Sequence, residues 1–525
     1  MPPDAAPSSP SRARELRAAV IKIVATLIVG AGLFALYSHE VRIESQVREL
    51  LAGPQGGTGS RAGGAKAALA RDTPAGWLAA EVALEKALVL QPSNPYALGA
   101  LASVEQILLA DGFADRKARA EQALARAEAK DVTQPERFEA RALSLIAAGR
   151  AGEAETYLLA LLSKYGGVPR LMDALGRAQR AVGKLGDAKF TLRKAQDADW
   201  RSPRAVADYA FALLEEGAAV EANLAFDRAL QANADHLRSY AGKARAMTAM
   251  AGAGKTVDLG RARKWTDDAL ARPAVDLSPA LRAQALAARA EVRIAQGDAK
   301  GALEDAEAAR AAVARSSHAL RARALALAAS EKSRDKAFDA LGAALAADPY
   351  DASLYFDGSA ALAAAGLGTQ AEKLLGKYAA LLPKTARYHL ALARLLGRKG
   401  DTRAATAELQ TAAEKEPTNA VVWYELGRIA QQKRDPQVAR AHYEKAVQLR
   451  DDYPEVYRQM GALYLDGRDV DQAITVYAEA LRRYKAARIP EAQLEPFYQE
   501  VHDKLVAARE RKKAAQWLKE ARAVH

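Results

Sequence analysis

The sequence predicts an all-α fold, a solenoid of about eleven helical hairpins. Half of the 525 residues are apolar, yet only 6% are aromatic and none is cysteine. Ala, Leu, Arg, Lys and Glu dominate, as in helices that pack through small side chains. Similar residues recur about every 34 positions over most of the chain. Each period contains two stretches whose apolar residues have helical spacing, so one period corresponds to two helices.

The N-terminal residues predict a membrane anchor. Residues 18–37 form an apolar run interrupted by a single charge, Lys22, and the run is long enough to cross a bilayer as a helix. The preceding tail, residues 1–17, carries Arg12 and Arg14, so the positive-inside rule places it in the cytoplasm and the rest of the chain across the membrane. A cleaved signal peptide and a mitochondrial presequence are the alternatives. The first lacks its small-residue cleavage site here, and the second does not contain so long an apolar run.

Residues 38–72 are expected to connect this anchor to the solenoid. A short amphipathic helix is predicted between Val41 and Leu51, with Val41, Val47, Leu50 and Leu51 on its apolar face. The Gly- and Ser-rich segment from Ala52 to Lys66 has the composition of a flexible linker, with a reach on the order of 20 Å. The bulk of the protein is therefore expected to be tethered to the membrane and not embedded in it.

The repeat is clearest near the C-terminus. The segments VVWYELGRIAQQKRDPQVARAHYEKAVQL and PEVYRQMGALYLDGRDVDQAITVYAEAL superpose with a shift of 34, which aligns Trp423 with Tyr457, Gly427 with Gly461, Ala439 with Ala473 and Tyr443 with Tyr477. Two helices approach closely only where small residues face each other. An alanine of the second helix recurs at Ala154, Ala188, Ala222, Ala302, Ala337, Ala371, Ala405, Ala439 and Ala473. A partner alanine recurs at Ala195, Ala229, Ala269, Ala309, Ala344, Ala412, Ala446 and Ala480.

This pattern resembles the tetratricopeptide repeat (TPR) family. The two quoted segments share its first-helix aromatic residue and glycine, and its second-helix alanine, aromatic residue and alanine. The resemblance implies that residues 73–485 form a solenoid of antiparallel helix pairs. Residues 486–525 leave the repeat register, and we expect them to be helices that cap its last apolar face through Phe497, Val501, Leu505 and Trp517.

The segment Gly252 to Thr256, GAGKT, satisfies the loose spelling of a phosphate-binding loop. Such a loop follows a buried strand and leads into a helix. Here a helical pattern precedes the segment, and Tyr240, which holds the first-helix aromatic position, is 22 residues from the matching Ala262 instead of the usual 16. The segment is therefore interpreted as a six-residue insertion that stands out from the repeat surface. An NTPase that uses Gly254, Lys255 and Thr256 is the remote alternative.

No catalytic, cofactor-binding or metal-binding residue is predicted, and the protein is expected not to be an enzyme. The absence of cysteine excludes disulfides, zinc fingers, iron–sulfur clusters and thiol nucleophiles. The seven histidines show no ligand spacing. The net charge of +12 comes from interspersed charges of both signs, which favours solvated helix faces over nucleic-acid binding but leaves other anionic partners favoured.

Arginines recur on the first-helix face that lines the concave groove in TPR proteins. This recurrence predicts a basic groove that binds carboxylates or phosphates of a partner through paired guanidinium hydrogen bonds. The other interpretation is that arginine fills solvated positions in an arginine-rich chain. The family's Lys–Asn clamp for C-terminal carboxylates is not expected, since arginine takes the place of that asparagine. The predicted groove residues are Arg170, Arg177, Arg180, Arg238, Arg245, Arg387, Arg394, Arg398 and Arg428.

The leading functional hypothesis is a membrane-anchored TPR scaffold that mediates protein–protein interactions. The Ala- and Arg-rich composition suggests a bacterium, with the anchor in the inner membrane and the array in the periplasm. Cell-envelope assembly, secretion and polysaccharide export are the expected settings, by analogy at the level of the fold. The expected partners are proteins with acidic segments. The alternative is a solenoid that binds a polyanionic glycan in an export machine.

Overall fold

The computed structural model describes residue 22 and residues 38–52, 64–130, 133–253, 255, 257–486 and 491–523. These residues form helices and their connections without any strand, which confirms the all-α prediction. Short 3₁₀ turns precede two of the helices, at Ala114–Arg116 and Arg334–Lys336. In chain order the helices are α1 (38–52), α2 (Ala65–Ala70), α3 (Pro74–Leu90), α4 (Pro95–Ala110), α5 (Lys117–Ala129), α6 (Pro135–Ala147), α7 (Ala151–Tyr165), α8 (Pro169–Ala181), α9 (Leu185–Ala198), α10 (Pro203–Glu216), α11 (Ala219–Ala232), α12 (Leu237–Gly252), α13 (Leu259–Leu270), α14 (Pro279–Ala295), α15 (Ala299–Ala312), α16 (Ser317–Ala329), α17 (Ala337–Ala347), α18 (Ala352–Ala364), α19 (Gly368–Leu381), α20 (Ala386–Arg398), α21 (Thr402–Lys415), α22 (Ala420–Gln432), α23 (Pro436–Leu449), α24 (Pro454–Asp466), α25 (Val470–Ala486), α26 (Glu491–Ala507) and α27 (Arg511–Ala523).

From α4 to α25 the described helices form eleven hairpins, in which each even-numbered helix packs against the odd-numbered helix that follows it. The even-numbered helices also pack on one another along the chain, so they form the inner layer of the solenoid. Three of these inner helices begin at prolines that lie 34 residues apart, Pro135, Pro169 and Pro203. Proline suits the first helical position because the N–H that it lacks would have no partner there.

The predicted alanine positions are the closest contacts within the hairpins. Every alanine of both predicted lines, and Ala262 as well, is only 0 or 1% exposed. Because an alanine side chain is a single methyl group, the backbones of the two helices come close enough for larger neighbours to fill the remaining space. The helix pairing inferred from the sequence is thereby confirmed.

Glycines of the inner helices make a second kind of close contact. A Cβ atom placed on Gly427 of α22 would lie 2.5 Å from the ring of Tyr443 in α23, and one placed on Gly461 of α24 would lie 2.7 Å from the ring of Tyr477 in α25. The rings of both tyrosines are fully buried. The glycine therefore provides the space in which the aromatic ring of the second helix packs.

The superhelix coils so tightly that residues about five repeats apart touch. Helix α10 packs against α18, and the side chain of Arg387 donates to the backbone carbonyl of Glu215 at 2.9 Å. Further contacts across turns join Arg180 to Asp348 at 2.8 Å, Lys255 to Asp452 at 2.9 Å, and the backbone N–H of Ala280 to the carbonyl of Asp111 at 3.1 Å. These contacts close the inner face along part of its length and leave separate cavities inside.

Helix α1 packs on the first helices of the solenoid. Val47 is buried there, and Ile43, Leu50 and Leu51 are partly buried around it. Val41 is 46% exposed, so its predicted place on the apolar face is wrong. Its direction from the helix axis differs from that of Val47 by six steps of about 100°, which turns it away from the packed face.

The predicted linker, Ala52 to Lys66, lies outside the described residues except for residue 52 and residues 64–66. Helix α2 begins at Ala65, before the expected linker end at Lys66, because Ala65 is fully buried against the neighbouring helices. The predicted membrane span, residues 18–37, lies outside the described residues except for Lys22. Within the described part of the chain, no helix is both long and apolar enough to cross a bilayer.

Helices α26 and α27 cover the last hairpin. Phe497, Val501, Leu505 and Trp517 are all buried, as expected. They pack with Tyr477 and Tyr484 in one apolar cluster. The indole N–H of Trp517 donates to the carbonyl of Tyr498 at 3.2 Å, which joins the two helices. The final apolar face of the repeat array is thus shielded from water.

Replacing Gly427 by alanine is expected to destabilise the protein, because the new methyl group would displace the buried Tyr443 ring. The expected cost is about 1–3 kcal/mol. Gly376→Ala in α19 is the matched control, since nothing lies within 4 Å of its Cβ position. Helix propensity alone should make that variant more stable by about 0.5–1 kcal/mol. Urea unfolding followed by circular dichroism measures the stability of both variants. A Gly427→Ala variant whose unfolding midpoint is at or above that of the wild type would contradict the packing argument.

Candidate partner-binding cavity

Arginine–carboxylate pairs connect the inner helices of neighbouring hairpins. Each pair joins an arginine to an acidic residue 30 or 31 positions earlier in the chain. This separation equals the length of one 34-residue repeat minus about one helical turn. The pairs are Arg170 with Glu139 at 2.6 Å, Arg238 with Asp208 at 2.5 Å, Arg321 with Glu291 at 2.8 Å and Arg387 with Asp357 at 3.5 Å. The arginine row predicted for partner binding is thus largely ion-paired within the chain.

The other predicted arginines have different surroundings. Arg180 binds Glu215 and Asp348, and Arg245 lies 3.6 Å from Glu291. Arg394 and Arg428 both bind Glu425, and Arg177 lies close to Asp173 and Asp208. Arg398 is exposed and has no ion-pair partner among the described residues. A partner-binding role for these nine residues stays a prediction.

Two arginines of the inner face, Arg204 and Arg321, are not among the groove residues predicted from the sequence. Arg204 lies two residues before Val206, just as Arg170 lies two residues before Met172, so its register position already indicated it. Arg321 is only 2% exposed and donates to Glu291, Ser353 and Asp357. The signal that could have found Arg321 is the acidic residue 30 positions upstream, Glu291.

Asp72 fastens the N-terminal helices to the fourth and fifth hairpins. It lies between α2 and α3 with a positive φ of 48°, and Arg204 donates to it through Nε at 3.0 Å. Trp77 donates to it through its indole N–H at 3.3 Å, and Nε2 of His236 is 3.4 Å away. Burial raises the pKa of the Asp72 carboxyl, but Arg204 and His236 outweigh burial and hold the pKa well below its usual range. The carboxylate is therefore ionised at any physiological pH.

The contacts of His236 resemble those of the histidine in a catalytic triad, because the ring lies between a serine, Ser239, and an aspartate, Asp72. Nδ1 of His236 lies 2.7 Å from Oγ of Ser239, and its Nε2 faces Asp72. Ser239 is completely buried, however, and Asp72 is neutralised by Arg204. Since no substrate reaches a buried Oγ, the arrangement serves to hold the start of α12 in place.

Lys255 of the GAGKT segment faces inward. The segment begins at Gly252, the last residue of α12, and Nζ of Lys255 donates to Asp452, in the connection between α23 and α24, at 2.9 Å. The Lys255 side chain is only 19% exposed, so the expectation that this lysine stands out from the surface is wrong. Helix α12 takes the place where a phosphate-binding loop would need a strand.

A cavity with a volume of about 1340 Å³ lies along the axis between hairpins four and ten. Five of the predicted groove arginines line it, together with Lys255 and Arg450: Arg245, Arg387, Arg394, Arg398 and Arg428. Apolar side chains such as Leu325, Leu390 and Ile429 lie between the charges. Arg170 lines a second cavity of about 630 Å³ near Asp72, whereas Arg177, Arg180 and Arg238 line neither. No cluster of acidic residues and histidines that could hold a metal ion occurs among the described residues.

Three carboxyls of the inner helices and their connections, buried Asp173 and partly buried Glu215 and Asp111, have raised pKa values. Burial, aided by the neighbouring carboxylate of Asp208, raises the pKa of Asp173 to about 8. Burial also raises the pKa of Glu215 to about 7, although Arg180 opposes this shift, and the pKa of Asp111 to about 6. One oxygen of Asp173 and one of Asp208 have no hydrogen-bond partner among the described residues.

Replacing Asp173 by asparagine is expected to stabilise the protein most at pH 8 and above. A carboxyl whose pKa is raised in the folded state does not lower the free energy of unfolding below its unfolded pKa, near 3.8. Above that pH it destabilises the folded state increasingly, until the pH reaches about 8. The gain in unfolding midpoint should therefore be larger at pH 8 than at pH 5. Asp197→Asn, at an exposed position of α9, is the control and should change little at either pH. Equal gains at both pH values would contradict the raised pKa.

Comparison with known proteins identifies one repeat directly. Residues 420–453, which cover α22, α23 and the connection after them, match the Tetratricopeptide repeat family. A search of curated protein sequences gave no match. Among solved structures, the APC/C hetero-tetramer Cut9-Hcn1 is similar at 15% identity over 87% of this chain and 91% of that chain, with a TM-score of 0.41.

Two further solved structures are similar. The human IFIT1 dimer with PPP-AAAA has 16% identity over 84% of this chain and 99% of that chain, with a TM-score of 0.41. MamA has 23% identity over 30% of this chain and 91% of that chain, with a TM-score of 0.25. Because these TM-scores lie below 0.5, nothing about ligands or partners is carried over from the three proteins.

The matched repeat is representative of the solenoid. Its hairpin, α22 and α23, is one of eleven in the described residues, and its two buried alanines, Ala439 and Ala446, have buried counterparts along the array. The same helix pairing and the same inner layer of first helices continue from α4 to α25. The chain thus contains a tetratricopeptide repeat at residues 420–453, within an array of eleven helical hairpins of the same kind in the described residues.

Proposed function

We propose that this protein is a membrane-anchored scaffold that holds a segment of a partner polypeptide in its axial cavity. The single observation that carries the proposal is the cavity of about 1340 Å³, in which arginines alternate with apolar side chains along the inner helices. A lining of this kind offers both apolar contact and fixed charges to one ligand. TPR hairpins are a scaffold for protein–protein interaction, and the proposed function is binding without catalysis.

Anchoring is supported by the sequence of residues 18–37, an apolar run of bilayer length with basic residues before it. Helix α1 follows that run directly and packs on the solenoid through Val47, so an anchored chain would carry its first hairpins close to the bilayer. The array would then lie in the periplasm of a bacterium, in envelope assembly, secretion or polysaccharide export. The composition of the chain supports this setting only by analogy.

The two alternatives fit the described residues less well. A polyanionic glycan would meet Glu216, Glu221 and Glu331 in the same cavity lining that holds the arginines. A nucleotide would need a phosphate-binding loop that connects a strand to a helix, but the segment with Lys255 comes after helix α12. Polypeptide binding requires neither a continuous basic track nor a phosphate loop.

Two arginines placed in the apolar run are expected to release the chain from the membrane. Each arginine at the centre of a spanning helix costs about 2.5–3.5 kcal/mol of insertion free energy, so Leu27→Arg combined with Leu33→Arg should move the protein to the soluble fraction. Leu27→Ile with Leu33→Ile is the matched control and should stay in the membrane pellet. A reporter fused to the C-terminus that is active only in the periplasm tests the orientation. An arginine variant that still pellets, or an inactive reporter, would contradict the anchor or its topology.

A photo-crosslinking residue in the cavity is expected to capture a polypeptide. Ala360 of α18 lines the cavity and is exposed inside it, so a benzophenone-bearing residue at this position should crosslink to a partner of defined mass in cells. The same residue at Gly376, exposed on α19 of the same hairpin and outside the cavity lining, is the control. Crosslinking that is absent at position 360, or equal at both positions, would count against a polypeptide in the cavity.

A further inference from the structure

We propose that one wall of the axial cavity is a binding site for the carboxylates of an acidic peptide, and that Asp452 occupies part of this site in the free protein. This inference rests on the proposed function, in which the cavity takes a polypeptide. The site consists of five cationic side chains that line the cavity, Lys255, Arg394, Arg398, Arg428 and Arg450.

The first argument is that these cations share too few carboxylates. Buried Glu425 accepts from Nε of Arg394 at 2.7 Å through one oxygen and from Nη1 of Arg428 at 2.8 Å through the other. A single carboxylate therefore serves two guanidinium groups. Arg398, one turn after Arg394 on α20, has no ion-pair partner among the described residues. The wall thus carries more positive charge than its own acidic residues neutralise.

The second argument is the unsatisfied guanidinium of Arg450. Its Nε and Nη2 are buried and have no hydrogen-bond partner in the described part of the chain. The nearest carboxylate oxygen, Oδ1 of Asp452, is 3.9 Å from Nε, and the guanidinium stacks on the Tyr453 ring at 3.5 Å. Buried donors without acceptors are costly. These two nitrogens have no accessible surface, so a ligand in the cavity cannot bond to them, but a carboxylate beside Arg450 in the cavity would offset its buried positive charge.

The third argument is the position of Asp452. Its side chain is 68% exposed, and it holds Lys255 at 2.9 Å across 197 residues of sequence while also facing Arg450. An ion pair this exposed to water is weak. The Asp452 carboxylate therefore takes the position that a carboxylate of a ligand would take, and a ligand can displace it at low cost. Lys255 belongs to the insertion between α12 and α13, and it contacts Asp452 from there.

A peptide fits the whole lining better than another polyanion does. The cationic wall is bounded by apolar side chains such as Leu390 and Ile429, and acidic residues line other parts of the cavity, among them Glu221 and Glu331. A ligand with a few carboxylates separated by apolar side chains matches this pattern, whereas a chain of phosphates would be repelled by the acidic part.

The test measures binding of a fluorescent peptide, (Glu-Leu-Asp-Ala) repeated three times, to the full chain in detergent by fluorescence anisotropy. Arg428→Ala is expected to weaken binding about tenfold, the value of one charge-assisted hydrogen bond. Its side chain is partly exposed and Glu425 keeps Arg394, so the fold should survive. Arg398→Ala, which breaks no ion pair of the described residues, should weaken binding in the same direction. Arg440→Ala, on an exposed face of α23, is the matched control and should change nothing.

Asp452→Asn separates the proposal from a purely structural role. If Asp452 occupies the site, its removal should strengthen peptide binding about two- to fivefold, the value of an exposed ion pair. A structural role predicts weaker binding, because the loop that carries Lys255 would lose its tether. Unchanged or weaker binding by Asp452→Asn would overturn the proposed occupancy. Unchanged binding by both Arg428→Ala and Arg398→Ala would overturn the site.

Three comparison ligands define the chemistry. A (Gln-Leu-Asn-Ala) repeat of the same length should not bind, and inorganic polyphosphate should bind more weakly than the acidic peptide; the reverse in either case would contradict carboxylate recognition. Amidation of the peptide's C-terminus removes its terminal carboxylate. A comparison of the two peptides therefore distinguishes binding of the side-chain carboxylates from binding of the terminal one. If position 360 crosslinks to a partner but the acidic peptide does not bind, the carboxylate site fails while the proposed function stands. If neither occurs, both fail.

Discussion

A guanidinium buried inside this superhelix has to lie against a carboxylate, because a buried charge without a partner costs far more than a pair contributes. Arg170 with Glu139 and Arg321 with Glu291 meet this need between neighbouring hairpins. Four such pairs join every second junction of the inner layer: hairpins two and three, four and five, six and seven, and eight and nine. They allow the inner helices to approach one another, and the coiling of the solenoid depends on that approach.

The tight coiling changes what the inner face is able to bind. An open TPR groove would present every inner arginine to a ligand, but here Arg180 bonds to Asp348 and Arg387 to the carbonyl of Glu215 on another turn. What stays available is the cavity between hairpins four and ten, with its cationic wall near α20 and α22. In the proposed function, a partner therefore binds to the residues that line this cavity, while Arg180 joins successive turns.

Departures from the repeat add to the contacts that hold successive turns together. Asp72 adopts a left-handed backbone conformation ahead of the first regular hairpins and binds Arg204 and His236. Lys255 in the inserted segment binds Asp452 on another turn. Regular helices contribute as well, since α10 packs against α18 and Arg180 binds Asp348.

The amino-acid sequence by itself determined the helix pair, its period and both lines of buried alanines, since these depend on contacts between residues close in the chain. Its register also located most of the inner arginines, although the same register should have included Arg204. Only the tertiary structure decided which of those arginines pair within the chain and which line the cavity. That outcome depends on the curvature and twist of the superhelix, which result from a small rotation between successive hairpins. No local pattern specifies that Lys255 will meet Asp452, because the rotations of all the hairpins between them together decide where the turns touch.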